Sequence, residues 1–146
     1  MLKDDLKVVL GTTFAFYVKA AGFHWNVQGK DFPQYHAFLG DVYQEVYSSI
    51  DKMAEVIRQL DSYAPGALSR YIELSAIKEQ TQIPRAELMI AELAEDNQIL
   101  IDILNVAFAS AAAENKQGIA NFIAERLDAH EKWGWQLRSI MKSDRA

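Results

Sequence analysis

Residues 61–84 read DSYAPGALSRYIELSAIKEQTQIP, and this stretch decides how the rest of the chain connects. Two breakers bound it, Tyr63-Ala64-Pro65-Gly66 and Gln82-Ile83-Pro84, with a short helical pattern from Leu68 to Glu79 between them. On its N-terminal side, the segment from Pro33 to about Leu60 carries Phe38, Leu39, Val42, Val46, Ile50, Met53 and Ile57 at helical spacing. Asp31-Phe32-Pro33 starts that helix, with proline near the first position and an acid at the positive end of the dipole. Further back, Leu6, Val9, Leu10, Phe14, Tyr17 and Val18 mark one face of a first helix. It is expected to end near Gly22 or shortly after Trp25, before the turn Gln28-Gly29-Lys30. On the C-terminal side, a helix from about Arg85 to Asn115 carries Ile99, Leu100, Ile103, Leu104, Ala107, Phe108 and Ala111. After the turn Asn115-Lys116-Gln117-Gly118, a last helix from Ile119 to about Met141 carries Phe122, Ile123, Leu127, Trp133, Leu137 and Ile140.

Four long amphipathic helices with a short extra one between the second and third predict an all-α bundle. Short turns join the first to the second and the third to the fourth as antiparallel hairpins. Residues 61–84 must therefore cross from one hairpin to the other. The result is up-down-down-up, a ferritin-like four-helix bundle. The 146 residues, half of them hydrophobic and 24% charged, suit one domain over residues 1–146. A net charge of −5 argues against a generic nucleic-acid binder and is compatible with collecting cations. The absence of cysteine excludes disulfides, zinc–thiolate sites and cysteine nucleophiles, and agrees with a reducing cytoplasm, where the chain is expected. The start, Met-Leu-Lys-Asp-Asp-Leu-Lys, places acids where a signal peptide needs an apolar core. No apolar run approaches the roughly 20 residues of a bilayer span, so no membrane role is expected.

The histidines are His24, His36 and His130. Asp41, Glu45, Asp51 and Glu55 follow His36 in the second helix, and the i, i+4 spacing of Asp51 and Glu55 lets their carboxylates converge on one cation. His36 lies near the same face, about 60° away, but on the order of 22 Å along the axis. One ion cannot bind His36 and Asp51 of the same chain. Two copies of this helix packed antiparallel about a two-fold axis would bring His24 and His36 of one chain to Asp51 and Glu55 of the other. Two imidazoles and two carboxylates suit ferrous iron, and also zinc or manganese. On residue types alone, a solvated acidic face and backbone-bonded histidines are the favoured reading of this pattern. An intrachain di-iron centre would need Glu-x-x-His, but Ala21, Pro33 and Leu127 stand three positions before the histidines. His130, with no metal motif around it, reads as structural.

Tyr17-Val18-Lys19, Phe23-His24-Trp25-Asn26-Val27-x-Gly29, Phe32, His36, Tyr43 and Asp51-x-Met53-Ala54-Glu55 together closely resemble the Dps family of mini-ferritins. Residues 71–79 resemble that family's short crossover helix, and Glu131-Lys132-x-x-Trp135-x-Leu137-Arg138 its C-terminal helix. The resemblance covers nearly the whole chain. It implies a hollow dodecamer built from two-fold dimers, in which ferrous iron is oxidised, preferably by hydrogen peroxide, and stored as ferric mineral. It carries metal ligation and catalysis onto His24 and His36 of one subunit and Asp51 and Glu55 of its neighbour, with Glu55 bridging.

One position departs from the family. Four residues after the second histidine, where the family has an aspartate, this chain has Gly40, followed by Asp41. Either local distortion lets Asp41 substitute, or the centre lacks one carboxylate. A shell with a degenerate centre, acting as a structural, interaction or weakly DNA-associating protein, is therefore the competing function. Trp25 is expected to pack beside the centre, and Trp133 and Trp135 to act as core or interface anchors. Glu114, Glu125 and Asp128 suit either a cation-entry pore or a solvated surface. Twelve copies would carry roughly −60 formal charges, and the ends, Met1-Leu2-Lys3-Asp4-Asp5 and Lys142-Ser143-Asp144-Arg145-Ala146, offer no lysine-rich tail. Tight DNA binding at physiological salt is not expected.

Overall fold

The computed structural model describes residues 1–142. The C-terminal stretch from Ser143, read above as no DNA-binding tail, lies outside them. The chain forms an all-helical, ferritin-like bundle: α1 (Leu2–Asn26), α2 (Phe32–Ser48), α3 (Ile50–Gln59), α4 (Leu68–Leu74), α5 (Ala86–Ala113) and α6 (Gln117–Met141). The α1–α2 turn uses Gly29 at φ 121°, and the α5–α6 turn uses Asn115 at φ 58°, a residue that tolerates the left-handed region.

Two boundaries differ from expectation. The helix expected to run from Pro33 to Leu60 is interrupted at Ser49, so α2 and α3 form one rod with a flaw. Consecutive serines explain it. Ser48 Oγ donates to the carbonyl of Glu45 at 2.6 Å, and Ser49 Oγ to that of Val46 at 2.7 Å, competing with the helical ladder. The crossover helix, expected to reach Glu79, stops at Leu74. Ser75 turns extended, its Oγ accepts the Ile77 N–H, and the Ala76 N–H is taken by Thr12 Oγ1 on α1 at 2.9 Å. Gly11 permits this approach, since a Cβ there would stand 2.8 Å from Leu74 Cβ and 3.0 Å from the Tyr71 carbonyl oxygen.

The core has two apolar clusters. One gathers Phe16, Leu39, Val42, Val46, Ile90, Leu93, Leu100 and Leu137; the other Leu2, Leu6, Leu10, Met53, Ile57, Leu104 and Ile123. Each such side chain contributes roughly 1.5–3 kcal/mol on burial. Along the helices the clusters are separated by buried polar residues: Thr12 and Thr13, Ser49, Arg126 and His130. At the opposite ends of α1 and α5, the Leu2 N–H donates to Glu114 Oε2 at 3.0 Å, which gives a pore-type candidate a capping role.

α1 comes closer to a membrane span than was expected from the lack of an uninterrupted apolar run. Its length and its mean hydropathy of 1.3 over 18 residues would suffice to cross a bilayer, yet 61% of that window is buried inside the bundle. Here the apolar surface serves helix packing.

Candidate metal centre

His24 ends α1 and His36 lies in the first turns of α2, so the short turn between the helices brings them together. Their rings stack at 3.9 Å between centroids with 13° between planes. His24 Nδ1 lies 2.6 Å from the backbone oxygen of His36, and His36 Nδ1 lies 2.8 Å from that of His24. A carbonyl oxygen only accepts, so both Nδ1 atoms carry the proton and the lone pair of each neutral ring is at Nε2. Neither Nε2 has a hydrogen-bond partner among the described residues. This is the arrangement of a metal-ligating histidine whose other nitrogen is held by a backbone acceptor. Phe32 stacks on His36 at 4.9 Å, and Tyr43 lies 5.2 Å from the His24 ring. Both histidines are half-buried.

The carboxylates are elsewhere. Asp51 and Glu55 are exposed on α3, outside every ion pair among the described residues. Asp41 is exposed on α2, which runs through Gly40 without interruption, so the distortion that would bring Asp41 round is not seen there. Among the described residues no three His, Asp or Glu side chains of one chain converge on a common point. Within one chain the structure joins His24 to His36 and leaves Asp41, Asp51 and Glu55 apart from them. Trp25, expected to pack beside the centre, is 68% exposed in the isolated chain.

The bundle interior holds ion pairs. Arg126 donates through both terminal nitrogens to Glu45, whose Oε1 also accepts Trp133 Nε1–H at 2.9 Å. Burial by itself would raise the Glu45 pKa, but the hydrogen bonds from Arg126 and Trp133 and the guanidinium charge outweigh it and hold the carboxyl below its ordinary value. His130 accepts from Arg126 at Nε2 (3.2 Å) and donates from Nδ1 to Asn97 Oδ1 (2.9 Å). Burial, reinforced by the Arg126 charge, depresses its pKa to about 3. His130 is thus neutral and structural, as expected. Sequence reasoning did not find this network. Nor did it find Lys19, which is buried between Glu92 (2.7 Å) and Asp96 (2.6 Å), with Asp96 raised above its ordinary pKa by burial. The available signal was the three charged residues Lys19, Asp96 and Arg126 falling on the apolar faces of their helices.

Residues 3–146 match the model of the ferritin-like domain family. This chain belongs to the ferritin-like family. Within it, the relatives place the chain among the Dps mini-ferritins. It is 27% identical to a DNA protection during starvation protein of Helicobacter pylori, over 93% of this chain and 95% of that one. It is 30% identical to an uncharacterized low temperature-induced protein of Nostoc sp., over 91% of this chain and 75% of the relative. Its fold superposes on the crystal structure of a Vibrio cholerae DPS protein with a TM-score of 0.93 at 27% identity, covering 97% of this chain and 89% of the other. That protein is described as a member of a broad superfamily of ferritin-like diiron-carboxylate proteins.

Proposed function

We propose that this protein is a ferroxidase mini-ferritin whose centre is shared between two copies of the chain. The reading is carried by the His24–His36 pair, which holds two imidazoles close together with their Nε2 lone pairs free. Asp51 and Glu55 of a second copy supply the oxygen ligands, giving a mixed nitrogen and oxygen set that suits ferrous iron as substrate. An open groove of about 780 Å³ between α1 and the crossover supports such pairing. Val18, Trp25, Leu68, Ile72 and Ile83 along it are each more than half exposed, and an apolar face of this kind marks an interaction surface. Trp25, adjacent to His24, would be covered by the same contact.

Two ferrous ions give one electron each to one hydrogen peroxide, which takes up two protons and leaves as two waters. The protein's part is to hold the ions through His24, His36, Asp51 and Glu55, and to store the ferric product in a hollow dodecamer, limiting oxidative damage. Gly40 favours a second reading, a shell whose centre has lost oxidation.

Adding ferrous iron and then peroxide anaerobically to the purified protein separates the two. Ferric absorbance that rises faster than a protein-free control and saturates supports the ferroxidase. A trace matching the control supports the degenerate shell. Asp51→Ala and Glu55→Ala are each expected to abolish the saturable phase, and unchanged rates in both would refute the ligand assignment.

A further inference from the structure

We infer that Gly40 is a positioning residue: its missing side chain is the seat of the His24 imidazole, and that seat locks the histidine pair in one tautomer. In a helix the Cα–Cβ bonds tilt toward the N-terminus, so a side chain at position 40 leans over the turn that carries residue 36. That is the place His24 enters to reach the His36 carbonyl oxygen. A Cβ at Gly40 would stand 2.9 Å from His24 Cε1 and 3.1 Å from its Nδ1. The atoms it would strike are a ring held by the 2.6 Å hydrogen bond to residue 36, by stacking on His36 and by Tyr43 beside it. At 2.9 Å something must shift, and the His24 ring is the neighbour that the added carbon meets. Gly22, in the last turns of α1, has open space where its Cβ would be, so a lack of side chain near this turn is not in itself a seat.

The consequence rests on the metal-centre reading above. Where the family pattern has a carboxylate beside the same two histidines, this chain has no side chain, and the His24 ring enters the space a Cβ would take.

The test uses the full chain without metal, by long-range ¹H–¹⁵N correlation of the imidazoles at pH 8. In the wild type His24 and His36 are each expected in the single Nδ1–H tautomer. A tautomer mixture at wild-type His24 overturns the inference without any variant. Gly40→Ala favours helix by propensity, so the bundle keeps its circular dichroism while His24 becomes a tautomer mixture. Gly22→Ala is the control and leaves both rings as they are. Followed by its visible absorption, Co²⁺ binding is expected to weaken tenfold or more in Gly40→Ala, the scale of losing a ligand's support. A Gly40→Ala protein with the wild-type tautomer and affinity overturns the inference, as does a Gly40→Asp protein that binds Co²⁺ more tightly with His24 still locked. A wild type with both tautomers locked that binds no Co²⁺ supports the seat and removes the metal reading.

Discussion

His130 and the His24–His36 pair show how differently one residue type is used in the same bundle. The His130 ring engages both nitrogens inside the protein, Nδ1–H toward Asn97 and Nε2 toward Arg126, and has no lone pair left to offer. His24 and His36 engage only Nδ1, each with the other's backbone, and keep Nε2 open. What separates a structural histidine from a candidate ligand is therefore the fate of its second nitrogen. The surroundings follow suit: His130 sits beside a guanidinium that repels cations, whereas the pair faces no positive side chain within hydrogen-bonding distance among the described residues.

Among substitutions, the largest effect on stability that tests this contrast comes from the cation that holds the interior network. Arg126→Met leaves the partly buried Glu45 carboxylate uncompensated and is expected to cost roughly 3 kcal/mol, read by chemical denaturation. A loss below about 1 kcal/mol would mean that the network is not the structural half of the comparison.

Next is the pH dependence. His130 has a pKa of about 3 in the folded protein, against about 6.5 in an unfolded chain. Below pH 6.5 the unfolded state binds a proton that the native state refuses. Stability is therefore lost as pH falls from 6.5 toward 3, by about 1.4 kcal/mol per pH unit for this group. Glu45 and Asp96 titrate with opposite signs at the acid end, so the His130 contribution is isolated by comparison with His130→Asn. Equal pH slopes in the two proteins would falsify the account of a neutral, buried His130.

The smallest expected change in stability is at the pair. His24→Ala or His36→Ala should move the unfolding free energy by less than about 1 kcal/mol, since both residues are half-buried. Co²⁺ affinity should fall at least tenfold in the same proteins. His130→Ala should do the reverse, destabilising the fold and leaving Co²⁺ affinity within about twofold. If His24→Ala unfolded the protein as readily as His130→Ala, the two environments would not differ in kind.

Most of the architecture was legible in the chain. The apolar period of Leu6 to Val18 and of Leu39 to Ile57 gave the helices, and the length of residues 61–84 gave the crossover. What was misread lay where a side chain competes with the helical ladder. Ser48 and Ser49 bond back onto α2, and the Ala76 N–H bonds to Thr12 instead of continuing α4. Both outcomes depend on alternative hydrogen bonds that hydrophobic period does not report. At the site, the chain's geometry showed in advance that His36 and Asp51 of one copy cannot meet, and the separation is there in the fold. The role of Gly40 was not legible, because a glycine reads as a missing ligand until the ring that fills its space is seen.

The sequence by itself determined the class of fold and the connection between the hairpins, and it supplied the residues proposed for a centre. These follow from local patterns: the 3.6-residue repeat, the breakers around residues 61–84, and the count and spacing of three histidines. Only the tertiary structure decided which nitrogen of each histidine is free, that Arg126 and Lys19 are neutralised inside the bundle, and that Gly40 holds a neighbour's ring. A side chain's protonation and partners are set by what the fold packs against it, and that neighbour is distant in the chain: residue 24 for Gly40, residues 92 and 96 for Lys19, and residue 45 for Arg126.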